Sequence, residues 1–192
     1  MIGQPAKVLA PGDVRRLLHA VSKGRYPRRN KVIVLLSVKA GLRACEISRL
    51  NWPMVLDAKG RVAEVLELPA RAAKKGSGRR VPLHPELRQA LVGLKASQGL
   101  CNGPVALSER NLALTPKALV NWFKQHYLQL GLMGCSSHSG RRTFVTQGAR
   151  LIHKVGGSLR DIQELVGHKS LKTTQGYIEG SSDAQRRLIR AL

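Results

Sequence analysis

His138-Ser139-Gly140-Arg141-Arg142-Thr143-Phe144, then Gly167-His168-Lys169-Ser170, then Tyr177 nine residues beyond His168, form the stretch that decides how this chain is read. Far upstream stands Gly41-Leu42-Arg43-Ala44-Cys45-Glu46-Ile47. His138 and Arg141 are three apart at the start of a predicted helix, so their side chains share a face. That face continues through Phe144, Val145, Gly148, Leu151 and Ile152, which reads as a buried stripe with Arg141 at its edge and Arg142 projecting elsewhere. A half-buried, fixed guanidinium suits bidentate phosphate binding. His168 follows a helix-ending glycine and is held at a rigid corner. Tyr177, between Gly176 and Gly180, reads as a surface tyrosine or as a nucleophile that swings on flexible neighbours.

Arg43 follows a glycine suited to a left-handed helix cap and opens the next helix. A cation there is slightly unfavourable by itself; it becomes sensible if an anion shares the helix N-terminus. Read alone, it is a solvated surface arginine. Lys74 and Lys75 lie in Arg71-Ala72-Ala73-Lys74-Lys75-Gly76-Ser77-Gly78-Arg79-Arg80, a basic hairpin connection fit to lie along a phosphate backbone. That loop can also deliver one lysine to a leaving oxygen.

Around these motifs the periodicities predict an α+β fold, predominantly helical, with a small three-stranded antiparallel sheet. Helices are expected over 11–23, 27–40, 85–99, 115–130, 137–154 and 158–166, with a short one carrying Glu46, Ile47 and Leu50. Ser158 and Asp161 form a capping box that opens the helix ending at Gly167. Strands are expected at 54–56, 62–68 and 79–83. A last amphipathic helix over 183–192 places Ala184, Leu188 and Leu192 on one side. So short a helix is not stable alone and has to dock.

Composition bounds the partners. Thirty-three Lys and Arg against eleven Asp and Glu give a formal charge of +22, distributed along the whole chain. Such a field favours polyanions through counterion release. Only 4% of residues are aromatic, too few for base stacking along single strands, so duplex DNA is the expected partner. The longest apolar run, Val32 to Leu36, is too short to span a bilayer. No secretory signal opens the chain, and a cytoplasmic location is expected. Cys45, Cys101 and Cys135 are odd in number and widely spaced, unlike a disulfide framework. Cys135-x-x-His138 lacks a second half for zinc.

Taken together, the residues resemble the catalytic domain of the tyrosine recombinases, or phage integrase family, over about Leu9 to Ile189. Gly41-Leu42-Arg43 with Glu46-Ile47 is similar to the family's first arginine box. Lys74, eight residues before Pro82 in Arg80-Val81-Pro82-Leu83, falls where the family keeps its hairpin lysine, with Lys75 as the alternative. His138-x-x-Arg141 is similar to the second box, and Leu165-Val166-Gly167-His168 leading through Thr173-Thr174 to Tyr177 to the third.

The resemblance implies catalytic roles for Arg43, Lys74, His138, Arg141, His168 and Tyr177, with no cofactor or metal. Arg71, Lys75, Arg79, Arg80, Arg142, Lys169 and Lys172 are expected to contact DNA. Tyr177 would attack the scissile phosphate, giving a 3′-phosphotyrosyl link and a free 5′-hydroxyl. A free tyrosine has a pKa of roughly 10, so only about a thousandth is ionised at pH 7; the arginines would favour the phenolate and neutralise the phosphorane. Gly140 departs from the family, which more often carries leucine there.

About ten residues precede the first helix, so residues 1–192 are expected to form a single catalytic domain, without the family's N-terminal core-binding domain. Residues 181–192 would form its tail helix. A monomer is expected free in solution, and a tetramer on DNA with the tail helix exchanged between subunits. The competing readings are a DNA-binding regulatory or accessory protein that keeps the fold, and type IB topoisomerase-like relaxation. The DNA target is not written in any short code of residues.

Overall fold

Four helices begin with proline in the first turn, where the missing N–H removes a donor that has no intrahelical partner anyway. They are α1 (Pro11–Ser22), α2 (Pro27–Lys39), α4 (Pro85–Gln98) and α5 (Pro116–Gln129). The short α3 (Ala44–Ser48) follows α2. Thr115 caps α5 by accepting from the Ala118 N–H at 3.1 Å, and Gly99 in the left-handed region ends α4. Beyond them come α6 (Ser139–Leu151), α7 (Leu159–Val166) and α8 (Leu171–Gln175). The computed structural model describes residues 6–177 with Gln185, Arg186, Ile189 and Arg190, the Lys75 side chain excepted. Most of the expected tail helix therefore lies outside the described residues. Among those residues, no helix is long and apolar enough to cross a membrane.

The centre is α2, whose residues from Val32 to Val38 are all buried. A helix apolar on every side requires cover on every side, and α1, α4, α6 and α3 supply it. The main core joins this helix to Leu17, Val21, Ile47, Trp52, Leu87, Leu91 and Phe123. A second, smaller cluster consists of Val145, Ile162 and Val166, with Phe144, Ile152 and Tyr177 packed against it. Helix α6 runs between the two, packing on α2 and on α7.

The sheet has two strands rather than three: β1 (Val65–Leu68) pairs antiparallel with β2 (Arg79–Pro82). Its register sets Leu66 opposite Val81, both buried, and Glu67 opposite Arg80 on the outer side. The first expected strand is instead a 3-10 turn, Trp52–Met54, with Pro53 in it. There Met54 and Val55 N–H donate back to Asn51 O and Trp52 O at 3.0 and 2.9 Å instead of to a ladder, and of the expected strand one isolated bridge, Leu56 to Val62, remains. The stripe predicted on α6 is broken at one position, since Ile152 still packs against the second cluster. Leu151 is 55% exposed, because the α-helix gives way there to a 3-10 turn over Ile152–Val155.

Gly140 is where α6 meets α2. A Cβ at this position would collide with Ser37 Oγ, and would lie 2.9 Å from Ser37 Cβ and 3.1 Å from Val38 Cγ1. The glycine is therefore a packing requirement of this chain rather than a loss of helix propensity alone. Gly140→Ala should destabilise the fold by about 1–3 kcal/mol in chemical denaturation despite alanine's better propensity. Combined with Ser37→Gly, it should cost less than the sum of the two single changes.

Candidate active site

The end of α2 sets the first part of the site. Gly41 has φ +63° and lies against the Phe144 ring, and Leu42 N–H donates back to Leu36 O at 3.0 Å. This reversal delivers Arg43 to the N-cap of α3. Three positions on, Glu46 is fully buried and turns its carboxylate back. It accepts from Arg43 N–H at 2.9 Å and from the Arg43 guanidinium at 3.1 Å.

The hairpin reaches the same carboxylate. Arg79 Nη1 and Nη2 donate to its two oxygens at 3.1 and 2.9 Å, and Lys74 backbone N–H donates at 3.3 Å. Burial pushes the Glu46 pKa up, but the hydrogen bonds and charges of Arg79 and Arg43 outweigh it and hold the group at about 2. Arg79 was expected to face DNA; its side chain is only 4% exposed and also donates through Nε to Leu165 O at 2.9 Å. In β2 it shares the inward face of Val81, as period-two alternation requires. Lys74 itself is exposed on a short 3-10 turn, Lys74–Gly76.

Arg141 is buried, not merely at the edge of the core: 1% of its surface is accessible. Its Nη1 donates to Gly41 O at 2.6 Å and its Nη2 to Val166 O at 2.7 Å, while Nε has no partner among the described residues. The guanidinium thus ties the ends of α2 and α7 to α6. Burial, then the neighbouring Arg43, lowers its pKa to about 10, which leaves it charged at neutral pH.

His168 is clamped through its backbone. Its N–H donates to Gln163 O at 3.0 Å, and its carbonyl accepts from Gln163 Nε2 at 2.9 Å. Its Nδ1 lies 3.0 Å from Thr174 Oγ1, and its buried Nε2 has no partner among the described residues. Burial first, then Arg141, Arg43 and Arg79, pull its pKa down to about 4. Tyr177 stacks on this imidazole with centroids 5.4 Å apart, half-buried against the second cluster. Its carbonyl accepts from Thr146 Oγ1 at 3.1 Å, and the Arg142 guanidinium lies 5.8 Å from its ring centroid. Gly176 keeps an ordinary helical conformation, and Gly180 lies outside the described residues.

His138 caps α6 at the exposed rim, with Nδ1 3.4 Å from Ser137 Oγ. Partial burial, then Lys74, Arg43 and Arg141, lower its pKa. These mutual influences place Arg43, Lys74, His138, Arg141, His168 and Tyr177 around one locus. Arg71, Arg80, Lys169 and Lys172 are exposed, and Arg80 pairs with Glu67 at 3.3 Å on the outer side of the sheet. Sequence reasoning passed over Thr174 and Thr146, which look like ordinary helical threonines until their partners are visible.

A sequence model of the phage integrase family matches residues 7–183. The chain belongs to the phage integrase family. Tyrosine recombinase XerC of Myxococcus xanthus is 31% identical over 163 residues, covering 79% of this chain and 50% of the relative. Tyrosine recombinase XerA of Pyrococcus furiosus is 29% identical over 176 residues, covering 89% and 56%. The chain spans about half the length of the curated relatives it matches. The crystal structure of XerA recombinase superposes with a TM-score of 0.73 at 24% identity, covering 98% of this chain and 66% of that one. The Tn1549 transposon integrase in complex with a circular intermediate DNA gives 0.75 at 18% identity, covering 100% and 67%. The fold is thus that of phage integrase family catalytic domains.

The Glu46 network gives a prediction with a definite sign. A carboxyl held below its ordinary value adds stability above that value and loses it as pH falls toward the folded-state pKa. Here that contribution is about 3 kcal/mol, lost between about pH 5 and pH 2. Glu46→Gln should destabilise the fold by about 3–5 kcal/mol at pH 7, since it leaves Arg79 buried without a counter-charge. Denaturation midpoints measured against pH should fall less steeply below about pH 5 in the variant than in the wild type.

Proposed function

We propose that this chain cleaves and rejoins duplex DNA through a 3′-phosphotyrosyl intermediate, as the catalytic part of a tyrosine-type site-specific recombinase or integrase. The observation that carries the reading is that two buried nitrogens, Arg141 Nε and His168 Nε2, have no hydrogen-bond partner among the described residues, and that Tyr177 stacks on the His168 ring. Buried donors left unpaired are costly, and an incoming phosphate oxygen satisfies them. The curated relatives are named as tyrosine recombinases, and the Tn1549 neighbour is bound to DNA, which supports the same substrate here. The charge of +22 does so as well.

In the proposed reaction the Tyr177 oxygen attacks phosphorus in line as the bond from phosphorus to the 5′ oxygen breaks. The phenolic proton passes to His138, whose lowered pKa leaves it free to accept at neutral pH. Lys74, or Lys75 beside it, protonates the departing 5′ oxygen. Arg43 and Arg141 neutralise the phosphorane, and His168 donates to a non-bridging oxygen. Attack by a 5′-hydroxyl reverses the steps, and the covalent link conserves the energy needed for resealing. The proposed contacts to the DNA backbone are Arg71, Arg80, Arg142, Lys169 and Lys172, with Lys75. The proposed assembly is a cytoplasmic monomer that forms a tetramer on DNA, exchanging the tail helix over 181–192.

The test is trapping. Wild type and Tyr177→Phe are incubated with supercoiled plasmid and quenched with SDS. Covalent protein–DNA adducts should form with wild type and be absent from Tyr177→Phe, while salt-sensitive DNA binding is the same for both. Binding without adducts from wild type would instead favour the accessory-protein reading.

A further inference from the structure

Thr174 is the one residue of α8 that is fully buried. Helical threonines commonly return their hydroxyl proton to the carbonyl four residues back, as Thr143 does here, donating to Ser139 O at 2.8 Å. Thr174 does not. The carbonyl four back, Ser170 O, accepts from Thr173 N–H at 3.1 Å, and the Thr174 hydroxyl has a single partner among the described residues, His168 Nδ1 at 3.0 Å.

Two proton arrangements fit that distance. If Nδ1 carries the proton and donates to Oγ1, the hydroxyl proton has no acceptor in a dry environment, and the Nε2 lone pair is unpaired as well. If the hydroxyl donates to Nδ1, the imidazole proton must sit on Nε2, and that N–H is the only group left unsatisfied. The second arrangement leaves one orphan instead of two, and that orphan is a donor like Arg141 Nε, which also lacks a partner among the described residues. The charged groups that influence the ring are Arg141, Arg43 and Arg79, with Glu46 opposing them.

We propose that Thr174 is a positioning residue that fixes His168 as its Nε2–H tautomer, so that the imidazole presents a hydrogen-bond donor to a phosphate oxygen. The use of that donor rests on the function proposed above; the tautomer itself does not. The same residue orients the nucleophile, because Tyr177 N–H donates to Thr174 O at 3.1 Å. One buried threonine therefore sets the donor through its hydroxyl and the start of the tyrosine turn through its carbonyl. The hydroxyl is the part that substitution can remove cleanly.

The experiment is long-range proton–nitrogen NMR of the full chain labelled with 15N-histidine at pH 7, with His168 assigned from the spectrum of His168→Gln. In wild type and Thr174→Ser, His168 should show a protonated Nε2 and a bare Nδ1. In Thr174→Val, which keeps the shape without the hydroxyl, that single pattern should give way to a mixture of tautomers. Plasmid adduct formation should fall roughly tenfold or more in Thr174→Val and stay within about threefold of wild type in Thr174→Ser. A wild-type spectrum with the proton on Nδ1 overturns the proposal, as does an unchanged tautomer in Thr174→Val. Absence of adducts from wild type, with the expected tautomers seen, would sink the proposed function and leave the role of Thr174 in place.

Discussion

A carboxylate sealed from solvent, that of Glu46, accepts hydrogen bonds from the Arg79 side chain, from the backbone and side chain of Arg43, and from the backbone of Lys74. Burying a charge costs several kcal/mol unless its lone pairs are filled and an opposite charge is fixed beside it. Here both conditions are met by groups from distant parts of the chain. The α3 N-terminus, the hairpin connection and β2 are drawn onto one point. Arg79 extends the tie to the end of α7 through Leu165 O. Arg43 and the lysine turn are thereby placed by structure that remains when no substrate is present.

Arg141 solves the opposite problem, a buried cation. Its two terminal nitrogens donate to Gly41 O and Val166 O, carbonyls at the C-terminal ends of α2 and α7. Helix C-termini carry partial negative charge and favour cations, so two dipole ends offset part of the desolvation penalty. With Arg43 and Arg79 close by, three guanidinium groups share a single carboxylate. Burial first, and then this shared positive field, lower the pKa values of Arg141 and His168, and of His138 at the rim. A phosphate gaining charge relieves that mutual repulsion, which is the electrostatic condition for stabilising a phosphorane.

Much of this was legible in the sequence, and what escaped it has physical reasons. Proline at helix starts and glycine at Gly41 and Gly167 mark boundaries through purely local backbone preferences, so the helices could be read closely. The expected strand at 54–56 failed because the Met54 and Val55 N–H groups close a 3-10 turn instead of a ladder, and Pro53, which favours such a turn, was a signal present and passed over. Arg79 could also have been found, since period-two alternation puts it on the face of Val81; its charge suggested the opposite side. Gly140 and Tyr177 are different. The need for glycine arises from Ser37, more than a hundred residues away, and the seat of Tyr177 comes from Val145, Ile162 and Val166 on two other helices. No local pattern carries those contacts. Thr174 was equally silent, because its departure from the usual backbone bond appears only in the fold.

The two histidines show how burial can divide roles within one cationic field. His138 sits at the exposed rim, where a ring can exchange protons with solvent, which suits a group that takes a proton and releases it. His168 is 7% exposed and bonded at Nδ1, and in the proposed tautomer it suits a constant donor. The frame that carries the cations is anchored in the main core through α2, α3 and β2. Tyr177 instead leans on a cluster of three buried residues and one stacked ring. Regions held by fewer apolar contacts open at lower free energy. The architecture therefore joins a rigid cluster of cations to a tyrosine on a lighter tether, and the proposed reaction, in which that tyrosine must meet and later leave a phosphate, calls for that inequality.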